Sequence, residues 1–164
     1  MSNRIGRGVA GILVCASVIG CASHGGEKKL PPDQVPQAVM DSLRNKFPDL
    51  AVKKASTERE NGQDIIEVVF SARGGSYEAE STPQGKLLAI DRMVEVRDLP
   101  GEVTHAIHEK YPDAKITSAE EVTKNDAVAY HEVNITSGSQ RMELQVDPAG
   151  KILNEEKKSA EDKD

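Results

Sequence analysis

The chain of 164 residues contains one short segment twice: NKFPDLAV at residues 45–52 returns, with few changes, as EKYPDAKI at residues 109–116. The agreement extends in unbroken order around this segment. At an offset of 64 residues, the identical pairs are Pro36 and Pro100, Val39 and Val103, Lys46 and Lys110, Pro48 and Pro112, Asp49 and Asp113, Ala55 and Ala119, and Asn61 and Asn125. After one inserted residue near Ala127, the offset becomes 65 and the match continues to Lys86 and Lys151. This order predicts an internal duplication of a unit of about 60 residues.

Each copy begins with a predicted helix. Apolar residues recur at every fourth position, at Val35, Val39, Leu43 and Phe47 in the first copy and at Leu99, Val103, Ile107 and Tyr111 in the second. This spacing predicts a short helix with one apolar face in each copy. We expect that face to lie in the core.

Prolines mark both ends of these helices. Pro36 and Pro100 lie near the first helical position, where a missing backbone N–H leaves no hydrogen bond unmade. Pro48 and Pro112 disfavour the helical conformation of the residue before them, so each helix should end there. The repeated FPD and YPD segments are therefore interpreted as helix exits rather than as a binding motif.

Behind each helix the apolar period changes to two, which is typical of half-buried antiparallel strands. The alternating residues are Ile66, Val68 and Phe70, then Val133 and Ile135, then Met142, Leu144 and Val146, with Glu78, Glu143 and Gln145 in the opposite phase. Turn residues separate these runs at Asn61-Gly62, Gly74-Gly75, 83–86, 137–139 and 148–151. The glycine pair within residues 72–76 is interpreted as a hairpin turn rather than an anion-binding loop.

The predicted fold is α+β, with two tandem repeats that each contain one short helix followed by about four antiparallel strands. The repeats span residues 33–97 and 98–157. Because a single unit of about 60 residues with one helix would be only marginally stable, we expect the two to pack together or to share a sheet edge. Their joint is predicted at residues 94–103.

Residues 1–20 are predicted to be a lipoprotein signal peptide. Arg4 and Arg7 precede an apolar segment, residues 8–20, that is too short for a stable membrane span. The segment ends in Val-Ile-Gly-Cys at 18–21, which resembles a bacterial lipobox and predicts lipidation of Cys21. Cys15 fits poorly as a competing site because Val14 precedes it. An ordinary secretory peptide, with Cys21 near its cleavage point by chance, is the alternative.

Lipidation of Cys21 would place the protein in a bacterial cell envelope, on the periplasmic face, with the acyl chains as its membrane anchor. No aspartate follows Cys21, and by resemblance to lipoprotein sorting in Gram-negative bacteria this favours the outer membrane. Residues 21–32 are predicted to be the lipidated N-terminus and a flexible tether. The charged end of the chain is predicted to fray past about Lys157, leaving residues 158–164 as a charged tail.

The charge balance excludes several classes of partner. Removal of residues 1–20 takes away two arginines and no acidic residue, so the formal net charge changes from −6 to −8. Such an acidic chain is unsuited to nucleic acid or to adsorption on anionic lipid. Once Cys21 is lipidated no free thiol remains, which excludes a disulfide framework, a thiolate nucleophile and a cysteine-based metal site.

One cluster has the composition of a metal site: His105, His108 and Glu109, with His131 in a neighbouring strand. The apolar stripe turns His105 towards solvent and His108 to the flank, and the arrangement is neither H-E-x-x-H nor H-x-x-E-H. The first copy has Asp41 and Arg44 at the matching positions, so the cluster is not part of the repeated design. We expect no metal site and no cofactor.

No catalytic motif is present, and the carboxylates are interpreted as scattered over the solvent-facing phases of the strands. The sequence therefore predicts a protein that is not an enzyme and has no catalytic residues.

The pattern resembles the β-lactamase-inhibitor-like, PepSY-like domains of bacterial envelope proteins. The segments that carry the resemblance are 99–116, 130–135 and 143–153 in the second copy and 35–52, 65–70 and 77–88 in the first. It covers about residues 33–157 and rests on apolar pattern and turn residues. The resemblance implies a secreted or lipid-anchored binding module. Related PepSY domains accompany thermolysin-type peptidases as pro-segments, and similar tandem units form the β-lactamase inhibitory protein.

The chain departs from that inhibitor in lacking tryptophan and disulfides, which argues against β-lactamase inhibition itself. Tight interfaces depend on Trp, Tyr and Arg anchors, and the aromatic residues here are Phe47, Phe70, Tyr77, Tyr111 and Tyr130. Three of these, Phe47, Phe70 and Tyr111, are predicted to be in the core.

Two functions remain open. One is a non-catalytic, lipid-anchored module that restrains a secreted or periplasmic hydrolase of the peptidase type. The alternative is a structural or sensing envelope lipoprotein that binds peptide, wall material or a cationic partner. An exposed apolar or aromatic patch on one sheet would favour the first, and a uniformly acidic surface would favour the second.

Overall fold

The described part of this computed structural model, residues 25–60 and 62–158, contains two α-helices and nine β-strands. The helices are α1 (Gln37–Lys46) and α2 (Gly101–Lys110). The strands are β1 (Gly25–Leu30), β2 (Ala51–Glu60), β3 (Gln63–Ala72), β4 (Gly75–Ser81), β5 (Leu87–Val94), β6 (Lys115–Lys124), β7 (Ala127–Ser137), β8 (Gln140–Val146) and β9 (Ile152–Lys158). Short 3-10 turns at Pro32–Gln34 and Val96–Asp98 precede the helices. The predicted α+β class is confirmed.

All nine strands form one antiparallel sheet in the order of the chain, β1 to β9. The pairing of β5 with β6, from Ile90 opposite Thr123 to Val94 opposite Ala119, joins the strands that follow α1 to those that follow α2. The sequence left open whether the two halves pack together or share a sheet. They share one continuous sheet.

The apolar stripes of both helices lie in the core as predicted. Val39 and Leu43 on α1, and Val103 and Ile107 on α2, are fully buried. The exits also match the prediction: the N–H of Phe47 donates to the Leu43 carbonyl oxygen at 2.7 Å, after which Pro48 prevents another helical turn. The corresponding bond of α2 joins Tyr111 to Ile107 at 2.8 Å, before Pro112.

Each helix packs on its own part of the same face of the sheet. The first core joins α1 to strand residues that include Val68 and Phe70, and the second joins α2 to residues that include Val133 and Leu144. We call the opposite face, which neither helix covers, the open face. A small apolar cluster of Ala89, Val122 and Tyr130 lies there, at the boundary between the two halves.

Two equivalent glycine turns pack closely against the backbones of the two helices. Gly85, before β5, and Gly150, before β9, have φ of +83° and +87°, which other residues rarely adopt. A Cβ on Gly85 would overlap the Ala38 carbonyl oxygen on α1, and one on Gly150 would lie 2.6 Å from the Glu102 carbonyl oxygen on α2. Both positions therefore require glycine.

The N-terminal end of the described chain is more ordered than the composition predicts. Residues 25–30, within the predicted flexible tether, form β1, with Lys28 opposite Thr57 and Leu30 opposite Ala55. The edge of β2 offers unpaired backbone groups to this segment, and Leu30 packs against the first core.

At the charged end of the chain, the last strand ends within one residue of Lys157, the predicted limit of order. Strand β9 extends to Lys158, whose ammonium lies 2.7 Å from Glu143 Oε2. The predicted signal peptide, the lipidation site Cys21 and residues 159–164 of the predicted tail lie outside the described residues. Within the described ranges, no helix has the length and hydropathy needed to cross a membrane.

Candidate functional site

The structure does not bring together the histidines of the candidate metal cluster. His108, at the end of α2, has its Nδ1 2.9 Å from the Thr104 carbonyl oxygen, while His131 lies in β7 on the helix-covered face and is 4% exposed. Burial lowers the pKa of His131, although Glu121, with Oε2 4.0 Å from its Nε2, opposes this. In residues 25–60 and 62–158, no three His, Cys, Asp or Glu side chains are grouped to hold a metal ion.

The open face of the sheet carries a band of acidic side chains that crosses the strands. Strand pairing places Glu67 of β3, Glu78 and Glu80 of β4, Asp91 of β5, Glu120 of β6, Glu132 of β7 and Glu143 of β8 on this face. We call this set the carboxylate strip. The interpretation of these carboxylates as scattered was wrong, because the register of six strands aligns them side by side.

The centre of the strip is one cross-strand row of residues. Glu78 lies directly opposite Asp91, Asp91 opposite Val122, and Val122 opposite Tyr130. Directly paired residues have Cβ atoms about 5 Å apart. Glu78 Oε1, Asp91 Oδ1 and the Tyr130 hydroxyl are each buried with no hydrogen-bond partner in the described part of the chain. We call Glu78, Asp91, Val122 and Tyr130 the central row.

Burial and mutual repulsion change the acidity of these groups. Burial first, and neighbouring carboxylates after it, raise the pKa of Glu78 to about 8 and that of Asp91 to about 7. The same causes raise the pKa of Glu132 to about 8. Because an ionised carboxylate is unfavourable where water is excluded and like charges are near, the strip retains protons close to neutral pH.

A lysine lies within this acidic surface. The Lys124 ammonium is 5.4 Å from the centre of the Tyr130 ring, a distance compatible with a cation–π contact. It also lowers the pKa of both Glu80 and Asp91, which burial and other carboxylates raise. Lys124 therefore supplies positive charge to the half of the strip nearest β4 and β5.

Exposed apolar surface in the described chain is sparse. The exposed large apolar residues there are Met93, Val128 and Leu153, which lie on three different strands. Tyr130 is the aromatic residue of the open face, and it is only 6% exposed. Met93 lies opposite Glu120 of the strip, so the open face offers a partner mainly acidic groups, beside the exposed Met93 side chain.

The helix-covered face has a groove of about 380 Å³ between the two halves. Basic groups line it but are already engaged: Lys46 forms an ion pair with Asp126, and Arg92 lies 3.2 Å from Glu121. The Arg73 guanidinium donates to the Lys46 carbonyl oxygen at 2.7 Å. The groove is therefore a weaker candidate than the central row of the open face, where Glu78 Oε1, Asp91 Oδ1 and the Tyr130 hydroxyl have no hydrogen-bond partner among the described residues.

The sequence pointed to none of the residues of the central row. The alternation of Glu78 with apolar neighbours was visible and placed it away from the core, but nothing local relates it to Asp91 or Tyr130. Their proximity depends on the pairing of β5 with β6 and of β6 with β7.

Comparison with solved structures identifies the same fold in several bacterial proteins. A protein from Bacteroides eggerthii described as a "putative periplasmic" protein has a TM-score of 0.64 at 13% identity, over 75% of this chain and 88% of its own. A DUF2874 family protein from Bacteroides uniformis has a TM-score of 0.62 at 13% identity, over 74% and 88%. A BLIP-like protein from Bacteroides fragilis has a TM-score of 0.59 at 21% identity, over 78% and 87%. At these identities the likeness establishes the fold alone.

Comparison of the sequence with protein families gives a match over most of the chain. No curated protein matches the sequence. The model of the family described as beta-lactamase-inhibitor-like, PepSY-like matches residues 24–67 and again residues 64–154. The chain therefore belongs to the beta-lactamase-inhibitor-like, PepSY-like family.

Proposed function

We propose that this protein is a non-catalytic module of the bacterial cell envelope that binds a partner protein on the open face of its sheet. The observation that carries the proposal is the carboxylate strip. At its centre, Glu78 Oε1 and Asp91 Oδ1 are buried without a hydrogen bond in the described chain, which destabilises the fold, and neither helix covers them. A partner that supplied hydrogen-bond donors and positive charge would remove that penalty.

The chemistry of this face favours a cationic partner over an apolar one. Inhibitory interfaces depend on a few aromatic or arginine anchors near their centre. On the open face the aromatic residue is Tyr130, whose side chain is buried, and the surrounding groups are acidic. Of the two candidate functions, this favours a structural or sensing role in which the protein binds a cationic partner.

Restraint of a secreted or periplasmic hydrolase is the second candidate. It is supported by the family, whose description names inhibitor-like proteins, and by the likeness to the BLIP-like protein of Bacteroides fragilis. In that case a basic surface of the hydrolase would contact the carboxylate strip. Both candidates use the same face, so one experiment tests them together.

Attachment to the membrane through a lipidated Cys21 is part of the proposal. It is supported by Arg4 and Arg7, the apolar residues 8–20 and Gly20 before Cys21. Strand β1 begins at Gly25, so the segment between the anchor and the sheet spans at most about 14 Å. That is much less than the whole of residues 21–32 would reach, and it would hold the β1 edge close to the bilayer.

We also infer that the two halves are copies of one unit. The inference is supported by the repeated sequence and by the order of elements, in which β2–β5 follow α1 and β6–β9 follow α2. The glycine turns at Gly85 and Gly150 make the same approach to the two helices. The carboxylate strip crosses the seam between the halves and so depends on both.

Affinity capture tests the proposed function. The protein is immobilised, washed with a detergent extract of the native envelope, and the retained proteins are identified by mass spectrometry, with a blank matrix as control. A basic protein released by moderate salt would support a cationic partner. A hydrolase whose activity falls when the purified protein is added would support restraint. Retention of no envelope protein above the blank would contradict the proposal.

A further inference from the structure

Three oxygen atoms of the central row are buried and accept no hydrogen bond from the described residues. Tyr130 is 6% exposed, and its hydroxyl has no hydrogen-bond partner among the residues described. The same holds for Glu78 Oε1 and Asp91 Oδ1 in the same row. Buried polar atoms in native proteins are nearly always satisfied, so three in one row of a sheet face point to a ligand that donates hydrogen bonds.

The spacing of these oxygens fits an extended chain better than a single ion. Glu78 lies in β4 and Tyr130 in β7, so the row crosses three strand intervals, or about 14 Å. No group of three potential ligands in the described chain could hold a metal ion. Side chains on one side of an extended peptide repeat about every 7 Å, so two cationic side chains would fit along the row.

The position of Lys124 indicates that an ammonium group fits beside the central row. Its ammonium is 5.4 Å from the Tyr130 ring centre and interacts with the Asp91 carboxylate. It leaves Asp91 Oδ1 without a hydrogen bond. Lys124 thus lies beside acceptors that it does not satisfy, whereas the Lys158 ammonium pairs with Glu143 at the end of the strip.

We propose that Glu78, Asp91 and Tyr130 bind the ammonium or guanidinium groups of a lysine- or arginine-rich polypeptide segment that lies across the open face. This inference rests on the proposed function and names the chemistry of its partner. The carboxylates accept charge-assisted hydrogen bonds, and the tyrosine hydroxyl accepts one more. The flanking charged groups, from β3, β4 and β6 to β9, are Glu67, Glu80, Glu120, Lys124, Glu132, Glu143 and Lys158.

Binding at this site is linked to protons. The pKa of Glu78 is raised to about 8 and that of Asp91 to about 7, so both groups carry protons for part of the time at neutral pH. A bound cation favours the ionised forms and expels those protons. Affinity for the basic segment should therefore rise as the pH increases from about 6 to about 8.

Titration calorimetry with an oligolysine peptide of about eight residues tests the site. The purified protein is titrated near pH 7 at low salt, in two buffers with different ionisation enthalpies, which gives the number of protons released. We expect salt-sensitive binding with release of protons. The double variant Glu78→Gln/Asp91→Asn should bind at least about tenfold more weakly and release fewer protons.

The matched control is Glu109→Gln/Asp113→Asn, which removes the same two charge types from exposed positions at the end of α2. It should change the affinity by less than about twofold and leave proton release unchanged. Circular dichroism of both variants checks that they are folded. Tyr130→Phe, which removes only the hydroxyl, should weaken binding by a smaller factor.

Equal weakening by the two double variants would overturn the site, because net charge alone would then explain binding. Displacement of the peptide by micromolar divalent cations would also overturn it, in favour of a metal site. The proposed function fails separately: an envelope partner captured equally well by Glu78→Gln/Asp91→Asn would preserve that function and refute this inference. If oligolysine bound at the central row but no envelope partner were captured, the site would be supported and the proposed function refuted.

Discussion

Glu78 and Asp91 lie directly opposite each other on neighbouring strands of the open face, and one carboxylate oxygen of each is buried without a hydrogen-bond partner in the described chain. Two ionised carboxylates from which water is excluded repel each other and lose their hydration. The fold tolerates the pair because protonation of either member removes the repulsion. Stability and partner binding at this row are therefore both linked to pH.

The first prediction concerns stability against pH. The folded-state pKa values of Glu78, Asp91 and Glu132 are raised to about 8, 7 and 8, so the folded protein binds more protons than the unfolded chain between about pH 4.5 and pH 8. Their contribution is present at low pH and is lost as the pH rises through these values. We expect the free energy of unfolding to fall by more than about 1 kcal/mol from pH 5 to pH 8. Urea unfolding at fixed salt measures it, and a constant or rising value would contradict the prediction.

The second prediction concerns the substitution Glu78→Gln. The amide keeps the shape of the side chain and removes a charge that burial and neighbouring carboxylates disfavour. We expect the variant to be more stable than the parent at pH 8, by about 1 kcal/mol, and nearly unchanged at pH 5. Glu109→Gln, at an exposed position of α2, is the control and should have little effect at either pH. A loss of stability at pH 8 in the first variant alone would contradict this account.

The third prediction concerns the turn that contacts α1. Gly85→Ala introduces a Cβ that overlaps the Ala38 carbonyl oxygen, at a φ of +83° that disfavours alanine. We expect the free energy of unfolding to fall by about 2 kcal/mol or more. Gly138→Ala, at a φ of +60° with no atom within 4 Å, isolates the backbone effect and should cost about 1 kcal/mol. Equal losses in the two variants would show that the contact with α1 is unimportant.

The fourth prediction concerns the core under α2. Leu144 of β8 is fully buried, whereas Leu153 of β9 is 47% exposed. Leu144→Ala should lower the free energy of unfolding by about 2–5 kcal/mol, because it leaves a cavity between the helix and the sheet. Leu153→Ala makes the same chemical change and should lower it by less than about 1 kcal/mol. Thermal unfolding compares them, and similar losses would contradict the position of the second core.

Local sequence pattern was sufficient for the helices and their ends. Val39 and Leu43 lie four residues apart with the charged Asp41 midway between them, which suits a helix and not a half-buried strand, and Pro48 ends that helix. The turn at residues 148–151 was also predicted from the sequence, but the sequence did not show why position 150 requires glycine. Its approach to the Glu102 carbonyl oxygen depends on where the sheet lies against α2.

The strand β1 was missed because its stability is not local. Residues 25–30 have a polar composition that resembles a linker, and the segment is a strand because the edge of β2 is available to pair with it. The charged end of the chain differs, because order was predicted to about Lys157 and β9 ends at Lys158. Composition indicates the conformation of a segment in isolation, and pairing with an exposed strand edge can make a polar segment extended.

The sequence by itself determined the two helices, their ends and the family resemblance, because periodicity, proline and glycine act over a few residues. Only the tertiary structure decided that the two halves share one sheet and that Glu78, Asp91 and Tyr130 lie in one row. That row exists because β5 pairs with β6 in a particular register, and register is fixed by contacts among strands distant in the chain. A shift of one residue would turn Asp91 towards the helices and divide the strip.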